Sequence, residues 1–375
     1  MMMDENIWKR GERAVFALRA LYQRYGYVQF KMSKFEEYDY YVRNKDFLVG
    51  EGVITFTDTD GKLLALKPDV TLSIVKNTQD EAHTTHKLYY NENVYRISQN
   101  THTFKEIMQT GLECIGEIDI YAITEVALLA VKSLEAVSGE YMLDISHLGV
   151  LSALIGTLSV SETEKKKLIH CIGEKNPHGI REICAEAGAD AEICEKLVKL
   201  VSIYGKPCDV LPALYALEAG EEAMKAVKDL ETLTKTLENI GYGDRIHIDF
   251  SVVNDMNYYS GVVFKGFING VPESVLSGGQ YDKLMVKMGR TAQAVGFAVY
   301  LDTLEFLDDG VKEYDTDILL LYEDGTDVCE LLKSVSVLAQ SGNRITAQKS
   351  KPEAMRYRQL LAYRNGGLEI LETND

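Results

Sequence analysis

Gln109 and Glu113 sit four residues apart in Gln109-Thr110-Gly111-Leu112-Glu113-Cys114-Ile115-Gly116, with Gly111 midway. On a strand, alternate residues share a face, so the amide and the carboxylate flank a position that carries no side chain. That arrangement suits a small ligand with a cationic or amide-bearing group. Three more segments carry polar groups within apolar, strand-like runs: Leu66-Lys67-Pro68-Asp69-Val70-Thr71, Val94-Tyr95-Arg96-Ile97, and Asn257-Tyr258-Tyr259-Ser260-Gly261-Val262-Val263-Phe264. Each alone reads equally well as a strand with one solvated polar face.

The elements that must position these groups follow from periodicity. Residues 4 to 25 carry Ile7, Val15, Leu18, Leu21, Tyr22 and Tyr25 at helical spacing, with Asp4 as N-cap and Gly26 as terminator. Residues 53 to 66 read as a hairpin turning at Asp60-Gly61, and residues 87 to 97 and 107 to 116 as two further strands. Residues 124 to 137 read as a helix. From 147 to 240 aromatics thin out, and Val198, Val201, Tyr204, Leu230, Leu233 and Leu237 keep the helical period. Strand character resumes at Ile246, and Asn269-Gly270 marks a turn between residues 258 to 267 and 274 to 277. A further amphipathic segment begins near Ala294. After residue 312 a small βαβ-like unit follows: a strand from Ile318, a helix from Val328, a strand from Arg344, a short helix near residues 352 to 361, and a strand at 368 to 371. The pattern is α+β, with strands joined by short turns and hence a mostly antiparallel sheet flanked by helices.

Composition excludes several classes. Lys and Arg number 40 against 57 Asp and Glu, a net charge of −17 that repels phosphate backbones, so no nucleic acid is expected as partner. No run of 18 apolar residues exists, and Met1-Met2-Met3-Asp4-Glu5-Asn6 lacks the basic-then-apolar pattern of an export signal. No membrane association and a cytoplasmic location are the expectation. The six cysteines form no Cys-x-x-Cys pair, and His83 and His86 have no ligand-spaced acid or thiol, so no metal site is expected. Neither a P-loop, a dinucleotide-binding glycine motif nor a nucleophile elbow is present. The one basic region, Arg344 to Arg364, reads as a solvated face.

Taken in order, the polar segments resemble the core of histidyl-tRNA synthetase, a class II aminoacyl-tRNA synthetase. Leu66-Lys67-Pro68-Asp69-Val70-Thr71 resembles Leu-Arg-Pro-Glu-x-Thr, Val94-Tyr95-Arg96 the Phe-Arg of motif 2, and Gln109-x-Gly111-x-Glu113-x-x-Gly116 the end of that motif. Asn257-Tyr258-Tyr259 resembles the histidine-specific Asp-Tyr-Tyr, Gly278-Gly279-Gln280-Tyr281-Asp282 resembles Gly-Gly-Arg-Tyr-Asp, and Ala294-Val295-Gly296-Phe297-Ala298 resembles the start of motif 3. The departures all remove cations or open space near ATP. Asn254 and Gln280 stand where the motifs have arginines, Ser98-Gln99-Asn100 replaces Glu-Arg-Pro, and Tyr300 and Thr303 replace the glycine and arginine that end motif 3. Phosphoryl chemistry relies on positive charge at the transferring phosphates.

A synthetase core that keeps its amino-acid pocket without those cations is similar to the regulatory-subunit family of ATP phosphoribosyltransferase. That resemblance implies a non-catalytic chain with no cofactor. It implies a class II core over residues 1–312 with a helical insertion at about 147–240, and a small α/β unit at 313–375. Its implied partners are the short-form catalytic subunit, with which it forms a hetero-octamer containing a dimer of this chain, and L-histidine as effector. Feedback inhibition of the first step of histidine biosynthesis is the implied role. Asp69, Thr71 and Gln109 would hold the α-ammonium, Arg96 the carboxylate, and Glu113 and Tyr259 the imidazole, between Tyr258 and Tyr281. The competing functions are a divergent histidyl-tRNA synthetase and an amino-acid sensor with some other partner.

Overall fold

The computed structural model describes residues 9–43, 52–81, 83–97, 103–253, 256, 258–307 and 314–374. The chain divides into two compact units, Met1–Leu307 and Asp308–Asp375. The first unit opens with α1 (Arg10–Arg24), β1 (Val28–Gln29), β2 (Phe35–Glu37), α2 (Tyr38–Arg43), β3 (Thr55–Thr57), β4 (Leu63–Leu66) and α3 (Val70–Asn77). A long hairpin follows, β5 (His86–Ile97) and β6 (Phe104–Gly116), then α4 (Ile120–Val137) and β7 (Tyr141–His147). Next come α5 (Leu148–Gly156), α6 (Glu162–Gly173), α7 (Pro177–Glu186), α8 (Ala191–Ser202), β8 (Tyr204–Gly205), α9 (Pro207–Tyr215) and α10 (Glu221–Leu237). The unit closes with β9 (Ile246–Asp249), β10 (Val262–Ile268), β11 (Leu276–Gln280), α11 (Asp282–Lys287) and β12 (Gln293–Tyr300).

Local chemistry accounts for the main boundaries. In α1, Ala14, Val15, Leu18 and Tyr22 are buried, the Glu12 carboxylate accepts the Lys9 amide at 2.9 Å, and Gly26 turns the chain at φ +84°. The expected cap Asp4, like Ile7, lies outside the described residues. Gly61 takes φ +81° in the β3–β4 turn, where one Asp58 oxygen accepts the Asp60 and Lys62 amides.

Nine strands form the main sheet in the order β1-β5-β6-β12-β11-β10-β7-β9-β8. This sheet is mixed, which corrects the mostly antiparallel expectation: β1 runs parallel to β5, and β7 parallel to β9. Parallel neighbours need long crossovers. Turn signals reveal hairpins such as β5–β6, whereas β7 and β9 are joined through six helices. Those helices do not stand apart from the sheet, because Leu197, Leu230 and Leu233 share one buried core with Val262 and Phe264. Helices α1 and α4 pack together on that core, covering one sheet face with Leu112 and Cys114. Glu113, which alternates with them, points to the other face. There Tyr258, Tyr281, Leu72 and Val94 form a second cluster. Strands β2, β4 and β3 make a small separate sheet that leads into α3.

The second unit contains β13 (Thr316–Leu321), α12 (Val328–Gln340), β14 (Ile345–Gln348), β15 (Tyr357–Arg364) and β16 (Gly367–Thr373), with strand order β14-β13-β15-β16. Residues 357–361, expected as part of a short helix, are strand instead. Asn365 and Gly366 take φ +50° and +76°, a two-residue hairpin turn that pairs β15 with β16. Most of the basic region is neutralised in place: Arg344 pairs with Asp317, Lys349 with Asp324, Lys351 with Glu372, Arg356 with Asp315, and Arg364 with Glu323 and Glu369, while Arg358 donates to the Asn343 side-chain carbonyl. Exposed pairs of this kind contribute little stability, and they leave the region a solvated surface.

Candidate functional site

Glu113 is the centre of the site. It lies mid-strand on β6 and is only 2% exposed. Thr71, in the first turn of α3, donates its hydroxyl to Glu113 Oε1 at 2.7 Å, and Tyr281, just past β11, donates to Oε2 at 2.6 Å. Burial pushes the carboxyl up to about 8, the two hydroxyl donors pull it down, and the nearby Asp69 adds to the rise. The carboxylate needs the glycine beside it. A Cβ on Gly296, its partner on β12, would come 1.8 Å from Glu113 Oε2. Gly296→Ala should therefore lower stability by about 1–3 kcal/mol in chemical denaturation; a loss below about 0.5 kcal/mol would mean that the carboxyl has room to move aside.

Around this centre the structure gathers most of the expected residues. The Tyr258 ring lies 4.7 Å from that of Tyr259 and 5.8 Å from that of Tyr281, centroid to centroid. Both Tyr258 and Tyr259 precede β10 rather than lying within a strand, as the sequence pattern had suggested. Asp69 is not a strand residue either. It is the N-cap of α3, with Oδ1 accepting the Leu72 amide at 2.8 Å. Burial raises the Asp69 carboxyl, and the Arg96 and Lys67 cations oppose that rise. Lys67 is itself sealed in the protein and pairs with Glu92 at 2.8 Å. Arg96, on β5, is anchored by Nε to the Pro68 carbonyl at 3.0 Å. Gln109 is 4% exposed and sits on the Glu113 face of β6, opposite Tyr300 on β12.

Three further features depart from the sequence reading. The gap beside Gly111 is filled: a Cβ there would lie 2.5 Å from the Tyr90 hydroxyl, so Tyr90, opposite Gly111 on β5, floors the site. Tyr90 was missed, although strand alternation from Arg96 places it on the same face. Gln280, which replaces a motif arginine, accepts the Val262 amide at 2.9 Å and fills the space beside Gly261. Thr303 donates its hydroxyl to the Tyr300 carbonyl at 2.6 Å, so it too has become a structural residue. Asn254, Asn257 and Ser98-Gln99-Asn100 lie outside the described residues. Among the described residues no group of acids, histidines and cysteines is placed to hold a metal ion, and no helix is long and apolar enough to cross a membrane.

A site with two buried carboxyls, one arginine and four tyrosines suits a small ligand with donors at both ends. A family model described as histidyl-tRNA synthetase matches residues 3–304. An ATP phosphoribosyltransferase regulatory subunit from Clostridium kluyveri is 30% identical over 81% of this chain and 81% of its own. The chain belongs to the ATP phosphoribosyltransferase regulatory-subunit family. Members of this regulatory-subunit family are named for control of the enzyme rather than for its catalysis. A crystal structure titled as a regulatory subunit/histidyl-tRNA synthetase, from Bacillus halodurans C, is 25% identical, covers 96% of both chains, and superposes with a TM-score of 0.76. An ATP phosphoribosyl transferase complex from Thermotoga maritima shares the fold at 18% identity and a TM-score of 0.61, over 80% of this chain and 98% of that one. The regulatory-subunit family is thus built on the class II synthetase fold of histidyl-tRNA synthetase, here with a mixed sheet.

Proposed function

We propose that this chain is the histidine-sensing subunit of an ATP phosphoribosyltransferase assembly, required by the short-form catalytic subunit and responsible for its feedback inhibition. The observation that carries the reading is the pair of buried carboxyls, Asp69 and Glu113, both raised by burial and within electrostatic reach of each other, with the Arg96 cation beside Asp69. Free histidine supplies what such a site lacks: an ammonium, an imidazole and a carboxylate. Asp69, Thr71 and Gln109 take the ammonium, with Asp69 offering the oxygen not used on Leu72. Glu113 and Tyr259 take the two imidazole nitrogens, and Arg96 takes the carboxylate. Tyr258 and Tyr281 wall the ring, and Tyr281 also orients Glu113. The neutral Gln280 and Thr303, at positions where the synthetase motifs carry cations, argue against an adenylating enzyme.

The regulatory-subunit relatives support that partner, and the fold shared with the Thermotoga ATP phosphoribosyl transferase complex is in keeping with it. The chain works as a dimer within a cytoplasmic hetero-octamer, with no cofactor, nucleic acid or membrane involved. Regulation requires histidine to bind the active and inhibited assemblies with different affinity, since equal affinity shifts nothing. Calorimetry of the purified chain should show saturable heat with L-histidine and none with ATP. Heat with ATP, together with histidine-dependent pyrophosphate exchange, would replace this reading with a synthetase.

A further inference from the structure

Strand β12 shapes one wall of the Glu113 face, and its side chains grade from nothing to large. Gly296 lies opposite Glu113, Ala298 opposite Gly111, and Tyr300 opposite Gln109, all on one sheet face. The wall therefore carries no side chain where the Glu113 carboxylate packs against it and is blocked at the far end. The Tyr300 hydroxyl is held by Ser277, which lies opposite Ala298 on β11 and so is a diagonal neighbour on the same face. The Arg96 guanidinium and the Asp69 carboxyl both lie within electrostatic reach of the Tyr300 phenol. Thr303 fixes the Tyr300 backbone from below. The ring thus stands within electrostatic reach of the cation assigned to the ligand's carboxylate, held by neighbours on two sides.

We infer that Tyr300 is the specificity-determining end wall of the site, closing it just beyond the ligand's α-carboxylate so that free histidine fits and anything extended through that carboxylate is rejected. This rests on the histidine-sensing reading and adds to it. Loss of cations weakens nucleotide binding, but a ring filling the space excludes a nucleotide, an acyl-adenylate or a large ester sterically, whatever its charge. A sensor needs that exclusion, because free histidine must be read against larger molecules that carry the same imidazole and ammonium.

The test compares two esters that both lack the carboxylate charge and differ only in bulk, histidine methyl ester and histidine benzyl ester, with free histidine as the reference. Calorimetry on the intact chain should show the methyl ester favoured over the benzyl ester by ~100-fold or more. Tyr300→Ala should collapse that ratio to below about tenfold. Tyr300→Phe keeps the bulk and loses the Ser277 bond, so it should keep the ratio and also report whether the strand end stays folded. A ratio unchanged in Tyr300→Ala, or wild-type protein that takes both esters equally, removes the role of Tyr300 and leaves the histidine site standing. No heat with free histidine in any variant removes the site and the wall together.

Discussion

Replacing Glu113 by glutamine should weaken histidine binding by ~10- to ~150-fold, and with it the inhibition of the assembled enzyme, while leaving assembly and folding intact. A charge-assisted hydrogen bond is worth roughly 1.5–3 kcal/mol, and each 1.4 kcal/mol is tenfold in affinity. The amide has the same shape but cannot carry the charge that balances an imidazolium. It also replaces one acceptor oxygen with a donor, and both oxygens already accept hydroxyls, from Thr71 and Tyr281. One of those bonds must therefore reverse in the variant, with the amide nitrogen donating to the hydroxyl. Stability should move the other way, or hardly at all. A carboxyl raised from its ordinary value to about 8 contributes stability in its protonated form, which is fully present at acid pH and lost as pH rises through about 8. The neutral amide has no such loss, so above pH 8 the variant should unfold at the same temperature as the parent or higher. Calorimetry and thermal unfolding of the same preparations check both halves. Unchanged histidine affinity would take Glu113 out of the site.

How much of this was open to the sequence depends on the range of each interaction. The shared face of Gln109, Gly111 and Glu113 is a matter of alternation along one strand, and β6 has it. The α1 helix and the β3–β4 turn are equally local. Asp69 was harder, because a capping residue and a ligand-binding residue look alike in a line of letters; only the Leu72 amide at 2.8 Å distinguishes the first use. Tyr90 escaped because its position over Gly111 arises from the pairing of β5 with β6. The parallel pairings of β1 with β5 and β7 with β9 escaped for the same reason, since their partners are brought together across long crossovers. In β15 the local signal existed: Asn365-Gly366 is a hairpin turn, and it outweighs the helical spacing read upstream of it. The substitutions Gln280 and Thr303 were visible as losses of charge, but their new structural duties to Val262 and Tyr300 were not.

The affinity for histidine should follow a bell in pH, with a plateau between about 6.5 and 8, and its alkaline flank should vanish in Glu113→Gln. The argument counts protons. In the complex, the imidazole and the Glu113 carboxyl share one proton between them. Free Glu113 keeps its proton up to about 8 because burial disfavours the charged form, and a free imidazole gains a second proton only below about 6.5. Between those values the two partners bring one proton and none is exchanged. Below the window they bring two, so one must leave and affinity falls about tenfold per pH unit; above it they bring none, and one must be taken up at the same slope. Glutamine has no proton to give, so the variant keeps the acid flank, and any remaining alkaline loss belongs to the ligand's own ammonium. The difference between the two profiles therefore isolates Glu113. Calorimetry in two buffers of unequal ionisation heat measures the proton count directly: zero near pH 7.2, approaching one released well below 6.5 and one taken up well above 8. If the carboxylate were already charged near neutrality, the parent protein would take up protons at pH 7.2, and the burial of Glu113 would not be setting the range over which the site works.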